Sequence, residues 1–269
     1  MKTTFISYGG GVQTFAMLVL LEQDKIRADE VIFANTGAEH QETYDHIQNV
    51  VLPLLDRIKI PFIEVKMSKK VYPCGDSDHK HPVIATSLSE VIEVRSRIPS
   101  LRTRWCTEYS KITPIKNYIK NEQENGRYIK PAVALLGISL DEWQRMHRSH
   151  LSQYVAEYPL IDMRLTRKDC ISLIKKSGYS LPPKSGCYFC PFQPLEQWKR
   201  LYSTEPQKFE TAIRLEEQDP KFPNYSLARS KGKSLPLRQM KIRFGDGSLT
   251  LTDFEIQEMS CSQRGYCNI

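Results

Sequence analysis

Between an apolar strand end, Thr4-Phe5-Ile6, and a long apolar run, Phe15 to Leu21, lies Ser7-Tyr8-Gly9-Gly10-Gly11-Val12-Gln13-Thr14. The second run reads as a buried helix. A glycine-rich turn from a strand into a helix leaves backbone N–H groups aimed at one spot. The helix N-terminus adds its partial positive charge, so the spot suits a phosphate. Adjacent glycines let the chain approach the anion closely, and Thr14 can supply a hydroxyl. No lysine follows the glycines, so this is not the nucleotide loop that carries Lys-Ser/Thr. It is not the dinucleotide fingerprint of three spaced glycines either.

The next segments extend this unit. Glu30 to Asn35 reads as a buried strand ending in a turn at Thr36-Gly37. Glu42 to Lys59 carries apolar residues at helical spacing (Val50, Val51, Leu54, Leu55, Ile58). Pro61 to Val65 and Ala132 to Ile138 are two further strands. Strands separated by helices predict an α/β fold, a parallel sheet with helices on both faces. In such sheets the ligand sits at the carboxyl ends of the strands, near the switch in strand order. Gly9 to Gly11, Asn35-Thr36-Gly37 and Gly137-Ile138-Ser139 all fall at such ends, which points to a nucleotide cleft.

The pattern changes near Pro159. Residues 1–160 read as the nucleotide-binding domain, and residues 161–269 as a smaller, helical, cysteine-containing and basic region. Thr166 to Asp169 has the form of a capping box, with Gly178 as the stop. Leu195 to Leu201 and Pro206 to Leu215 read as helices. From Lys221 to Phe244 there are seven basic residues and no acidic one. Lys221, Arg229, Lys231, Lys233, Arg238, Lys241 and Arg243 interleave with Phe222, Tyr225 and Phe244. Such a run can hold phosphates and stack bases, or be a solvated loop. The net charge of +7 points the same way, to anionic partners. No apolar run approaches the roughly 20 residues that span a bilayer. The N-terminus lacks the apolar core of a signal peptide. The expectation is a cytoplasmic protein with no membrane association.

In that compartment the seven cysteines read as metal ligands or reactive thiols rather than disulfides. Cys187-Tyr188-Phe189-Cys190 lets two thiolates reach one metal from a single turn. A redox pair fits less well, because Pro191 follows directly where such pairs open a helix. Two cysteines cannot fill a metal site, so Cys106, Cys261 or Cys267 must fold in. Zinc and an iron–sulfur cluster both stay open on spacing alone. Cys74 and Cys170 are the least suited, Cys170 lying on the apolar side of a helix. Cys74, Asp76, Asp78, His79 and His81 form either a zinc site or a polar loop, and the turn formers among them favour the loop.

Four pieces together resemble the phosphoadenosine-phosphosulfate-reductase-like branch of the ATP pyrophosphatase (PP-loop) superfamily. They are Ser7 to Thr14; Phe33 to Tyr44; Arg104-Trp105-Cys106-Thr107 with Lys111 and Pro114; and Pro183 to Phe192. Tyr158 to Asp162 is a fifth, weaker match. The usual loop is Ser-Gly-Gly-x-Asp-Ser, where this chain has Gly9-Gly10-Gly11-Val12-Gln13-Thr14. Glycine replaces the first serine, and Gln13 replaces the aspartate. The resemblance implies an adenine nucleotide α-hydrolase-like fold that binds ATP or an adenylyl sulfate. It implies nucleotide contacts from Ser7, Gly9, Gly10, Gly11, Gln13, Thr14, Asn35, Thr36, Gly137 and Arg145. It also implies a [4Fe–4S] cluster on Cys106, Cys187 and Cys190, with Cys267 as fourth ligand and Cys261 in reserve; zinc is the alternative. Members include sulfur-inserting enzymes of phosphorothioate DNA and thiolating enzymes of transfer RNA, and relatives of this fold often pair as homodimers.

An ATP pyrophosphatase joins the α-phosphate to an acceptor oxygen and releases pyrophosphate, which demands charge stabilisation and positioning. Arg104, Lys111 and Arg145 are candidates for neutralising the phosphates. Mg²⁺ is expected, yet Gln13 cannot be a charged ligand; Asp141 or Glu142, just past the fourth strand, could serve, or could equally mark a helix start. Adenylation turns a carbonyl oxygen into a leaving group that sulfur can replace. The expected activity is ATP-dependent sulfur insertion into a nucleic acid, tRNA or DNA, fed by a sulfur-donor protein. One rival is reductive release of sulfite from adenylyl sulfate with thioredoxin as donor, where Cys267 would be the catalytic thiol. Another is a non-catalytic nucleotide-binding partner or sensor inside a nucleic-acid modification or defence complex.

Overall fold

The computed structural model describes residues 3–75, 80–100, 105–146, 153–230 and 233–248. Strand β1 (Thr4–Tyr8) passes through the glycines into helix α1 (Val12–Glu22), then β2 (Glu30–Asn35), α2 (Gln41–His46) and α3 (Leu52–Arg57). Next come β3 (Phe62–Lys66), a hairpin of β4 (Lys69–Val71) and β5 (Val83–Ala85), and α4 (Leu88–Arg95). After them stand α5 (Trp105–Thr107), α6 (Thr113–Glu124), β6 (Ala132–Leu136), β7 (Tyr154–Glu157), α7 (Pro159–Asp162) and α8 (Arg167–Lys176). The last elements are α9 (Leu195–Thr204), α10 (Pro206–Glu217), the hairpin β8 (Ala228–Ser230) and β9 (Lys233–Leu235), and α11 (Leu237–Gly245).

The central sheet has the order β3-β2-β1-β6-β7, and every pairing in it is parallel. Side chains alternate between its faces. Ile6, Tyr8, Val31, Phe33, Val133 and Leu135 pack toward α1, α3 and α8. Phe5, Ile32, Ala34, Ala132, Ala134 and Leu136 pack toward Ile115 and Ile119 of α6. A sheet covered on both faces explains why its central strands are apolar at nearly every position. Nine of the eleven residues of α1 are buried, which fits its continuous apolar run. Each fully buried Leu, Val or Phe there contributes about 1.5–3 kcal/mol. The parallel sheet with helices on both faces is the architecture expected from the sequence, and β7 adds an edge strand that the reading did not include.

The helix expected from Glu42 to Lys59 is broken by a π turn over Ile47–Val51. Pro53 stands in the first turn of α3. Its missing N–H and its ring prevent the regular i→i−4 bond, so the ladder widens just before it. The same arrangement recurs where Pro114 opens α6 after a π turn over Glu108–Ile112.

Residues beyond 160 contribute to two cores. Cys170 and Ile174 of α8 join the core of α1, after a capping box at Thr166 and Asp169 that matches the sequence expectation. The second core gathers Trp198, Phe209, Ile213, Leu237 and Met240 around Tyr188 and Phe189, with Leu88 and Ile92 of α4. The cysteine turn is thereby fixed to a helical layer, which in turn fixes its position against the sheet.

Candidate active site

Strand β1 lies between β2 and β6, so the strand order reverses at β1 and β6. The crevice outside their carboxyl ends is where open α/β sheets bind ligands. The glycine loop leaves β1 into that crevice, and Gly137 to Ser139 leave β6 beside it. Gly10 has φ of +75°, and a Cβ there would stand 3.0 Å from Cγ2 of Thr43 and 3.1 Å from Cβ of Ser185. At Gly137 a Cβ would stand 2.6 Å from Cγ2 of Thr14 and 3.0 Å from its backbone nitrogen. Both glycines are therefore needed for close approach, Gly10 also for its backbone conformation. Gly11 is the N-cap of α1 and supplies no capping side chain. The first N–H groups of α1 thus carry no side-chain cap, as an anion site requires. The Thr14 hydroxyl donates to the Gly11 carbonyl at 3.1 Å. Ser7 is buried within β1 itself.

Gln13 is the centre of a polar network. Its Nε2 donates to Oε2 of Glu142 at 3.2 Å and to the Ser139 hydroxyl at 3.5 Å. Its Oε1 accepts from Nη1 of Arg167 at 2.9 Å. Arg145 forms an ion pair with Glu142, both side chains being largely buried. The carboxylate beside position 13 is therefore supplied by Glu142, from the loop after β6. Asp141, the other acid considered from the sequence, instead accepts from the backbone N–H of Arg167 at 2.8 Å.

The second wall joins the segment after β2 to the cysteine turn. Asn35 accepts from the Gly37 N–H at 2.8 Å and from the Tyr44 hydroxyl at 2.8 Å. Glu39 and Cys187 form an antiparallel bridge. The flanking bonds are His40 N–H to the Gly186 carbonyl at 3.2 Å and Tyr188 N–H to the Ala38 carbonyl at 2.9 Å. The Cys187 thiol lies 3.5 Å from the Thr36 hydroxyl, which lies 3.3 Å from Oε1 of Glu39. Nζ of Lys111 is 3.8 Å from the same Oε1. Glu39 is 1% exposed, and its Oε2 has no hydrogen-bond partner. Burial and the Glu39 carboxylate push the Cys187 thiol well above its ordinary pKa, against the opposing pull of Lys111 and Thr36.

The fold thus brings together the glycine loop, Asn35, Thr36, Gly137, Arg145, Lys111 and Cys187. Cys190 shares the turn of Cys187, its N–H donating to the Cys187 carbonyl at 2.9 Å. Cys106 borders the same apolar core as Cys187. Arg104, Cys261 and Cys267 lie outside the described residues, as do Asp76, Asp78 and His79. Among the described residues, no group of three or more His, Cys, Asp or Glu side chains is placed to hold a metal ion. The described thiols by themselves do not make up such a group. A half-buried thiol beside a buried carboxylate whose Oε2 has no hydrogen-bond partner nevertheless suits a bound cation, which would displace the thiol proton. Cys170 is a core residue, its thiol raised to about 12 by burial.

The basic run of the C-terminal region is not an open stripe. Arg238 pairs with Glu217 and Lys241 with Glu210. Phe244 packs beside Tyr202 and Phe209 in the second core. The Tyr225 hydroxyl donates to the Pro99 carbonyl at 3.0 Å. Acidic partners come from α10, earlier in the chain, where a linear count of charge does not see them.

Glu39, Ser185 and Arg167 are site residues that the sequence reading did not single out. Glu39 and Ser185 sit inside the quoted motifs, so a signal existed. Arg167 stands in the capping-box stretch Thr166 to Asp169, whose local signal is only that of a helix start.

No family model matches the chain. It is 26% identical over 196 residues to the uncharacterized nin region protein ORF290 of Escherichia phage lambda, across 69% of this chain and 64% of that one. It is 22% identical over 228 residues to the uncharacterized protein MJ0066 of Methanocaldococcus jannaschii, across 79% of this chain and 42% of that one. The chain spans less than two thirds of the length of each of these relatives. Among solved structures it is similar to the U34-tRNA thiolase NcsA from Methanococcus maripaludis with its [4Fe–4S] cluster. That likeness has 13% identity and a TM-score of 0.45, covering 100% of this chain and 78% of the other.

Proposed function

We propose that the chain is an ATP-dependent adenylating enzyme of the PP-loop type that inserts sulfur into a nucleic-acid acceptor. One observation carries this reading: the phosphate-type glycine loop and the cysteine turn are built into one site, with Ser185 against Gly10 and Cys187 against Thr36 and Glu39. The loop N–H groups and Thr14 would hold the pyrophosphate portion of ATP. Lys111, Arg145 and Arg104 would offset charge on the phosphates. The acceptor oxygen attacks the α-phosphorus, and pyrophosphate leaves. A sulfur nucleophile then attacks the activated carbon, and AMP leaves with the oxygen. The donors Cys106, Cys187, Cys190 and Cys267 would hold a [4Fe–4S] cluster, which when bound supplies the sulfur chemistry.

The test is to assay pyrophosphate release and sulfur incorporation into tRNA and DNA, with anaerobically purified protein whose iron and acid-labile sulfide are measured. Wild type is expected to release pyrophosphate and to thiolate one of the two acceptors. Cys187→Ser is expected to lose iron and sulfur incorporation while retaining pyrophosphate release. Absence of pyrophosphate release with either acceptor overturns the adenylation reading. Sulfite release from adenylyl sulfate without ATP would select a reductase instead.

Mg²⁺ would be held by Glu142, the carboxylate beside Gln13. Glu142→Gln is expected to raise the Mg²⁺ concentration for half-maximal activity by about tenfold, the effect of about 1.4 kcal/mol. An unchanged Mg²⁺ titration would remove Glu142 from that role.

A further inference from the structure

A cavity of about 500 Å³ lies between the β4–β5 hairpin, the end of α4 and the segment after Cys106. Lys69, Lys70, Arg95 and Arg97 line it, together with Tyr72 and Tyr109, and among the described residues no acidic one does. None of these four cations has a carboxylate partner among the described residues, unlike Arg238 and Lys241 of the basic C-terminal run. Two of them are held by a ring instead. Nζ of Lys69 stands 3.8 Å from the centroid of Tyr109, and Cζ of Arg95 stands 5.9 Å from it. Nη1 of Arg95 also donates to the Tyr109 hydroxyl at 3.3 Å. A cation–π contact positions a cation without neutralising it, so the charge stays available to a ligand. Ser96, at φ of +47°, ends α4 between the two arginines, and the Cys74 N–H ties the facing loop to the Val94 carbonyl at 3.2 Å.

We infer that this cavity binds the phosphate backbone of a single-stranded nucleic-acid acceptor. It has the size of a small-ligand site. Four cations without a carboxylate partner among the described residues, with tyrosines beside them, are what successive phosphates and bases demand. Its wall also connects to the candidate active site. Tyr109 follows Cys106 by three residues, and Lys111, two further on, pairs with Glu39. One segment thus faces the cavity with Tyr109 and the nucleotide site with Lys111. The inference rests on the reading that the acceptor is a nucleic acid.

The experiment measures binding of a fluorescein-labelled single-stranded RNA and DNA oligonucleotide over a range of salt, to wild type and to the double variant Lys70→Glu/Arg97→Glu. Both side chains are exposed, and a milder Lys70→Ala/Arg97→Ala pair guards against a folding defect. Oligonucleotide affinity is expected to fall at least about tenfold in the reversal variant, and the slope of log affinity against log salt to shrink by about 2. ATP affinity is expected to stay unchanged. Unchanged oligonucleotide affinity and slope in both variants overturns the inference. Loss of ATP affinity, or full competition by inorganic phosphate, would make the cavity a site for free phosphate compounds and overturns it too. Oligonucleotide binding needs no turnover, so a failure of the sulfur-insertion reading shows separately, as absent pyrophosphate release.

Discussion

Gly137→Ala is expected to disable the proposed nucleotide site: the proposed pyrophosphate release should drop on the order of a hundredfold, the usual effect of displacing a reacting group by about 1 Å. The added methyl carbon would stand 2.6 Å from Cγ2 of Thr14 and 3.0–3.2 Å from its backbone. The side chain can rotate away, but the backbone of α1 and the end of β6 cannot both stay. Either the helix start moves off the switch point or β6 shifts in the sheet. The stability cost of such overpacking is about 1–3 kcal/mol. The variant should therefore remain folded while losing ATP affinity, which separates a local displacement from global unfolding. Wild-type nucleotide affinity in this variant would mean that the contact between Gly137 and Thr14 does not position the loop.

The largest expected loss of stability is at Glu216. This carboxyl group is fully buried and accepts from the Leu227 N–H and the Leu237 N–H, each at 2.7 Å. It ties α10 to the segment entering β8 and to the start of α11. Glu216→Ala leaves two buried N–H groups without partners, at about 1–3 kcal/mol each. A loss of about 2–6 kcal/mol is expected in urea unfolding, enough to unfold many domains of this size. A loss below about 1 kcal/mol would mean that water or relaxation satisfies both groups.

The same residue gives a pH dependence of defined sign. Burial raises its pKa to about 7, against 4.5 for the ordinary group. Between those values the folded chain holds a proton that the unfolded chain releases. Its contribution is full below 4.5 and lost as pH rises through about 7. Glu30, enclosed by Tyr118 and Tyr128, is likewise raised to about 7, first by burial, and acts in the same window. The stability of wild type relative to Glu216→Gln should therefore fall from acid toward neutral pH. A constant difference across that window would exclude this titration.

Much of this was legible in the chain because the signals are local. Four apolar strands and a glycine turn between strand and helix predict a parallel sheet. Strand ends at Gly9, Asn35 and Gly137 mark the crevice where sheets of this topology bind ligands. The cysteine pair is visible as spacing alone. Hairpins β4–β5 and β8–β9 were not visible, because three-residue strands carry too little periodicity. The π turns before Pro53 and Pro114 were hidden for a similar reason: proline marks a boundary without saying how the preceding ladder adjusts.

By itself, the sequence determined the sheet, the glycine loop and which thiols share a turn, because each depends on residues close together in the chain. Only the tertiary structure decided which charges are neutralised and which are left. Arg238 and Lys241 meet Glu217 and Glu210 across helices, whereas Lys69 and Arg95 meet Tyr109 and, among the described residues, no carboxylate. It likewise decided that Glu142 stands beside Gln13 and that Glu39 is enclosed with Cys187, pairs separated by well over a hundred residues. Coulomb interaction and desolvation depend on distance and burial in space, and neither can be read from order along the chain.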